Sequence, residues 1–467
     1  MDNKNNLKKS LSLIDLSFAG YGFIIGAGIF TLMPFIMKYS KGYSWMAFFL
    51  GFIISILTGL SFARLNYEYP SNEAEYAWIM NILIDKKKPK GSLWNRLVKY
   101  SANIIIYAVV LLTLLGGATI ITGMKDIIAS YKFGINNYLL CFILILIPTI
   151  INIIGTKYTK GFNKIAMVVI TSSFLILGGI AMKFNKYFGD NKFMTTNTQA
   201  TLPGVMHGAF ISIFAFNGFQ SLVQLSEEAK NREDIPKSII TSISVSTILY
   251  IIVTISIISI IGLKRATNSI YPFAESFSII AGSNGVNIVN ILALLCMIST
   301  MFMGVLSSSR LIHKLSKLKL LPSYLTKITS LNKYFEPFTS KNIENIENIE
   351  NIENKGNTFF ENMPINAIIT YFVLICIIVV IGKGVLERMA SFSNIMIFFI
   401  YTSVNILCIV NHYKTKDKLY KGDLKNMPKF LKTFPWYSIL GSIITFIFLI
   451  LSPKYIKQIK PRIPPKL

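Results

Sequence analysis

Charge is scarce in this chain. Of its 467 residues only 15% are Asp, Glu, Lys or Arg, against about 25% in an ordinary soluble domain, which excludes a water-soluble globular fold. Acids are scarcer still, 22 against 47 bases, and there are three histidines, His207, His313 and His412, far apart in the sequence. No acid falls in the middle of a long apolar run; the nearest, Asp15, Asp126, Glu227, Glu228 and Glu387, stand at the ends. The chain has no H-E-x-x-H, G-x-S-x-G or P-loop pattern, and a membrane-embedded hydrolase would need a carboxylate or histidine pair in mid-span. An enzyme, a metal site and a cofactor are therefore not expected. The four cysteines, Cys141, Cys296, Cys376 and Cys408, lie inside apolar runs without metal-ligand spacing. They read as packing residues and say nothing of redox compartment. A cleavable signal peptide is not expected either, since the first apolar run is long and lacks a small-residue cleavage site.

What the chain has in plenty is apolar sequence: 52% of residues, with a mean hydropathy of +0.53. Runs of about 20 apolar residues, long enough to span a bilayer, recur from end to end. Eleven spans are expected, near 16–38, 44–65, 100–123, 136–154, 163–183, 204–225, 237–262, 287–310, 363–382, 390–411 and 434–452. The chain is thus an all-α polytopic membrane protein. Its net charge of +25 would suggest nucleic acid in a soluble protein, but here the bases sit in short loops between spans and follow the positive-inside rule. With the N-terminus cytoplasmic, the inner side receives Lys4, Lys8, Lys9, Lys86 to Lys90, Arg96, Lys99, Lys157, Lys160, Lys164, the 310–341 segment and the Lys-rich 414–432 loop. The basic tail after an eleventh span would then lie outside, against the rule.

The first span contains Gly22-Phe23-Ile24-Ile25-Gly26-Ala27-Gly28-Ile29-Phe30. Each glycine costs about 1 kcal/mol in a helix relative to alanine, so three within seven residues favour either close helix packing or an unwound stretch. Unwound backbone is tolerated in a membrane only where it is buried in protein or lines a cavity. Five spans later, Asn217-Gly218 interrupts the sixth span. Helices broken at corresponding positions of two halves point to a transporter's binding site.

Four stretches in order carry a resemblance to the amino acid–polyamine–organocation transporter superfamily: Gly22 to Phe30; Phe214-Ala215-Phe216-Asn217-Gly218-Phe219 with Glu227-Glu228-Ala229-Lys230-Asn231; Arg310 to Pro322; and Met363-Pro364-Ile365-Asn366. The resemblance covers about residues 10–412 and implies an inverted five-plus-five helix repeat of the leucine-transporter type. It implies an amino acid permease or exchanger working by alternating access, with spans 1, 2, 6 and 7 rocking against the rest. The substrate carboxylate would meet N–H groups at Gly26, Ala27 and Gly28. The ammonium would meet carbonyls near Phe23, Ile24 and the 214–218 stretch (Phe214, Ala215, Phe216, Asn217, Gly218). Phe214 or Phe216 resembles the family's aromatic gate, and Glu227 and Glu228 resemble its inner-gate acids.

The chain departs from the family at Thr171, which falls where many proton-coupled members carry a lysine. A threonine cannot carry that charge, so exchange, facilitated diffusion, or a cation held by Thr171 with first-span carbonyls all stay open, with a proton or sodium as candidate coupling ion. A twelfth span found in many relatives is also absent. The lack of mid-span acids favours neutral amino acids; a cationic amino acid or polyamine carrier, an ion transporter, and a transport-dead sensor on the same fold are the alternatives. Partners are then a small-molecule amino acid and the lipid bilayer, without nucleic acid. The expected layout is a cytoplasmic arm (1–15), a first repeat (16–183), and a second repeat (204–411) with a disordered insertion near 340–360, where Asn-Ile-Glu recurs four times. Residues 412–467 hold a basic loop, a further helix and the tail.

Overall fold

The computed structural model describes residues 9–89, 91–129, 136–184, 200–269, 271–329, 362–381, 386–415 and 427–458; the Asn-Ile-Glu tract and most of the tail lie outside them. The described residues are almost wholly helical, with two isolated β-bridges and no strand. The first span is two helices, α1 (Leu13–Ile24) and α2 (Ala27–Ser40). Then come α3 (Ser44–Glu68), a short α4 (Ala74–Leu83), α5 (Leu93–Ala129), α6 (Asn137–Ile154) and α7 (Thr156–Phe184). The second half opens with α8 (Leu202–Phe216), which passes at Asn217-Gly218 into a 3-10 helix over Phe219–Glu228. It continues through α9 (Asp234–Ile261), the short α10 (Leu263–Asn268), α11 (Pro272–Lys317, kinked at Ala281-Gly282), α12 (Ile365–Ile381) and α13 (Leu386–Thr415). One further helix, α14 (Trp436–Gln458), follows. Among the described residues ten helical stretches are long and apolar enough to cross a membrane, and α12 is a shorter apolar helix. Each half thus holds five spans and opens on a broken one.

Local chemistry sets the ends of these elements. At the start of α1, Ser12 and Asp15 form a reciprocal capping box: Asp15 N–H donates to Ser12 Oγ at 3.3 Å and Ser12 N–H to the Asp15 carboxylate at 3.0 Å. Pro203 opens α8 beside the Thr201 cap. Inside the spans, several buried hydroxyls donate to the carbonyl one turn back, as in Thr247 to Ile243 and Thr254 to Tyr250.

The helices form two groups. Extensive packing of α3 on α9, α2 on α8, α1 on α9 and α3 on α8 makes a compact bundle of spans 1, 2, 6 and 7. α5 lies against α11, α12 and α13 and forms the core of the other group, and α14 packs on both α13 and α3. A buried Arg64 at the end of α3 ties the two together. Its guanidinium meets Glu68 at 3.3 Å, the Thr433 carbonyl at 3.1 Å and His412 Nδ1 at 2.9 Å. At the other end of α14, Tyr455 packs on His207 and Phe210 of α8. His207 in turn stacks on Tyr39 at the end of α2. The end of α14 therefore lies on the face opposite the N-terminal arm, as eleven spans require.

Candidate functional site

The two breaks meet. The helix of α1 ends with the Ile25 and Gly26 N–H groups donating to Tyr21 and Ile24 carbonyls, and α2 restarts at Ala27 with Gly26 as a cap that has no side chain. The first-turn N–H groups of α2 are therefore left without a capping side chain, and the positive end of its dipole points to the break. Gly28 lets α2 lie directly on α8: a Cβ there would stand 2.9 Å from Ala215 Cα. Gly218 adopts φ +133°, a conformation that favours glycine, and its Cα packs on Phe23 so closely that a Cβ would fall 2.8 Å from the Phe23 carbonyl oxygen.

Between the breaks and the second helix group lies a cavity of about 660 Å³, its open mouth included. Phe23, Ile24, Gly26, Gly28, Phe214, Asn217 and Gly218 line one wall. α5 supplies Leu112, Thr113, Gly116, Gly117 and Ile120; α11 supplies Thr300, Met301 and Gly304, then Ser307 and Ser308 towards the N-terminal face. None of the lining side chains is charged. Six of the nine substrate-site residues expected from the sequence, Ile24, Gly26, Gly28, Phe214, Asn217 and Gly218, reach this cavity. Ala215 backs onto Gly28 instead, and Phe216 is fully buried against Tyr250 with ring centroids 5.3 Å apart. The side chain of Ala27 lies outside the described residues. Of these two phenylalanines it is Phe214 that lines the cavity, as do Phe23 and Tyr371. Asn217 accepts a close contact from Gln220 Nε2, while Gln220 Oε1 accepts the Gly218 N–H at 3.0 Å. The amide pair thereby satisfies the unwound backbone.

Tyr250 of α9, which the sequence does not single out, stands between the breaks. Its hydroxyl lies 2.8 Å from both the Ile24 and the Ala215 carbonyl oxygens. One proton serves both acceptors, and each carbonyl keeps a second lone pair for another donor. Thr300 Oγ1 donates to the Gly22 carbonyl at 2.9 Å. On α7, the Thr171 hydroxyl is hydrogen-bonded to Tyr21 OH at 2.6 Å. The polar α7 side chain that bridges spans 1 and 8 is Asn163: its Nδ2 donates to the Phe18 carbonyl at 2.8 Å and its Oδ1 accepts from Ser299 Oγ at 2.9 Å. A neutral amide makes this bridge.

Beyond Ser307 and Ser308 the N-terminal face is closed by ion pairs. Glu228 meets Arg310 at 2.6 Å with both side chains buried, and Glu227 meets Lys314 at 2.5 Å. Both expected inner-gate acids are therefore paired, Glu228 buried and Glu227 partly exposed. The arm before α1 crosses this layer, with Ser10 and Leu11 N–H groups on the Glu228 carbonyl and Lys230 N–H on the Leu11 carbonyl. Asp15 holds Lys164 at 2.5 Å and Lys160 at 3.6 Å. Among the described residues no group of three His, Cys, Asp or Glu side chains could hold a metal ion.

The profile of the family described as "Amino acid permease" matches residues 11–464. The chain belongs to this family. It is an integral multi-pass membrane protein and an amino acid transporter by family, not an enzyme. It is similar to the branched-chain amino acid permease BcaP of Bacillus subtilis, 25% identical over 71% of this chain and 72% of the relative. It is also similar to the vacuolar cationic amino acid transporter 4 of Arabidopsis thaliana, 23% identical over 70% of this chain but only 56% of that longer protein. Among solved structures, MhsT, crystallised in complex with L-phenylalanine, superposes with a TM-score of 0.64 at 14% identity, over 97% of this chain and 100% of the other. That likeness bears on the fold: the inverted five-plus-five architecture that the family resemblance implies.

Proposed function

We propose that the permease is a secondary active carrier of neutral amino acids that works by alternating access. The carboxylate of the substrate sits on the first-turn N–H groups of α2 at Ala27 and Gly28, beside the Gly26 cap, where the positive end of the α2 dipole favours an anion. Its ammonium is accepted by carbonyls at Phe23, Ile24 and the end of α8. The side chain extends towards Leu112, Ile120 and Met301, and Phe214 covers it. The observation that carries the preference for neutral substrates is the cavity wall, which holds no charged side chain; a cationic side chain buried there would lack a counter-charge. The bundle of spans 1, 2, 6 and 7 rocks against α5, α11, α12 and α13, with the N-terminal face cytoplasmic and the Glu228–Arg310 and Glu227–Lys314 pairs opening as it does so.

A cationic substrate is the second reading, favoured by the similarity to the plant transporter. Uptake of a panel of radiolabelled amino acids into proteoliposomes separates the two, run with and without proton and sodium gradients and with amino acid preloaded inside. Leucine-like or phenylalanine-like substrates competing above arginine and lysine are the expected result. Stimulation only by preloading marks an exchanger. Flux of arginine alone refutes the neutral reading, and no flux of any amino acid refutes the carrier in favour of an ion transporter or a sensor.

A further inference from the structure

Glu75 takes no part in the cavity or the ion-pair layer, yet it is the most deeply buried acid among the described residues, 1% exposed. It lies in the first turn of α4, on the N-terminal face between α3 and α5 and outside the spans. Neither of its carboxyl oxygens has a hydrogen-bonding partner on another residue. An ionised carboxylate in such a place would be strongly destabilising, and a buried acid without a counter-charge holds its proton instead. Burial pushes Glu75 up from the usual 4.5 to about 7, opposed only by its own backbone N–H.

The surroundings supply no charge to offset it. α4 packs on α5 and α13. On α13, Lys414 is committed to the Ile82 carbonyl at 2.7 Å, and His412 faces Arg64. On α5, Arg96 and Lys99 point to solvent and Tyr107 is placed near Tyr76. Towards the ion-pair layer stand Glu73, which accepts from Ser71, and Lys314, which holds Glu227. None of these contributes to the shift.

α4 is also tied to the closed face. Asn72 Oδ1, just before the helix, accepts the Glu227 N–H at 2.9 Å. At the far end, Trp94 of α5 donates to the Leu83 carbonyl at 3.0 Å. Moving the 3-10 helix that carries Glu227 therefore pulls on the turn that encloses Glu75.

We propose that Glu75 is a proton-binding site: α4 keeps its carboxyl neutral while the N-terminal face is closed, and opening of that face wets it. The O–H bond then breaks and the proton passes to water on that face. The closed state binds this proton more tightly than the open one, so closure is favoured at low pH and weakens as pH rises from 4.5 through 7. By linkage the open-to-closed ratio rises about sevenfold from pH 5 to 6 and about fivefold from pH 6 to 7, roughly 40-fold in all, and levels off above. This rests on the reading of that face as the moving gate of a carrier.

The test is hydrogen–deuterium exchange of the full-length protein in nanodiscs from pH 5 to 8, corrected for the intrinsic pH dependence of exchange. It needs no substrate, so it is readable even if no amino acid is ever transported. The segments 71–83 and 227–231 should open roughly 40-fold more at pH 7 than at pH 5, and Glu75→Gln should flatten the profile at the low-pH level. A flat wild-type profile, or a slope that survives in Glu75→Gln, overturns the proposal. If Glu75→Gln does not fold, Glu75→Asp keeps a titratable group and must keep a slope; a flat profile there overturns the proposal equally.

Discussion

Gly28→Ala is the smallest change that should separate a binding break from a merely permissive packing contact. The added methyl would stand 2.9 Å from Ala215 Cα and 3.1 Å from Ala215 Cβ. Carbon atoms pack at about 3.5–4.0 Å, so α2 and α8 must part by roughly half an ångström or more. The nearest obstacle is backbone, which no rotamer change relieves. Overpacking of this kind costs about 1–3 kcal/mol, a loss of roughly 5- to 150-fold where the strained geometry is the binding geometry. Initial rates of uptake and equilibrium binding in proteoliposomes, with the amount of reconstituted protein measured, should both fall by that amount. Gly26→Ala should be milder, because the methyl meets the Thr300 side chain, at 2.7 Å from Oγ1, and a threonine can turn away. Adding Ala215→Gly should restore Gly28→Ala only in part, since it removes the 3.1 Å contact and leaves the 2.9 Å one. A Gly28→Ala protein with wild-type uptake and binding refutes the reasoning.

Three further outcomes follow from the contacts around the breaks. Tyr250→Phe removes the one proton shared by the Ile24 and Ala215 carbonyls; at about 1 kcal/mol for a hydrogen bond it should weaken substrate binding about fivefold by titration calorimetry, and unchanged affinity would deny Tyr250 a positioning role. Arg310→Met leaves the Glu228 carboxylate buried without its partner, at a cost of about 3–5 kcal/mol; thermal unfolding should drop sharply and be largely recovered by Glu228→Gln with Arg310→Met, whereas equal stability of all three proteins would show that the pair does not hold the N-terminal face. Thr171→Val removes the hydrogen bond to Tyr21 and should leave the sodium and proton dependence of uptake unchanged; a lost cation dependence would make Thr171 an ion ligand instead.

Much of this architecture was legible in the residues because membrane spans pay heavily for irregular backbone. Three glycines in seven residues, and Asn-Gly five spans later, are costly in a helix and point to the two places where the chain unwinds. Glu227 and Glu228 stood out only by their resemblance to the family's inner-gate acids, and their pairing with Arg310 and Lys314 became visible only in the fold. Tyr250 was not legible: it is one of 22 tyrosines, and its acceptors, Ile24 and Ala215, are distant in sequence and presented by backbone, which leaves no mark on side-chain pattern. Asn163 was hidden for the same reason, since its partners are a carbonyl of α1 and a serine of α11. Glu75 shows the opposite failure. The run Tyr67 to Tyr76 reads as an acidic, aromatic turn, and clustered charge ordinarily marks solvent. The fold instead tucks α4 under α3, with Trp78 against Phe62 and its indole N–H on the Tyr69 carbonyl, so that an acid typical of a surface is enclosed. Composition predicts the average environment of a residue type, and a functional group is most informative where the fold departs from that average. At Glu75 the departure is a carboxyl that is comfortable only while it is protonated, beside a contact to the 3-10 helix of the sixth span.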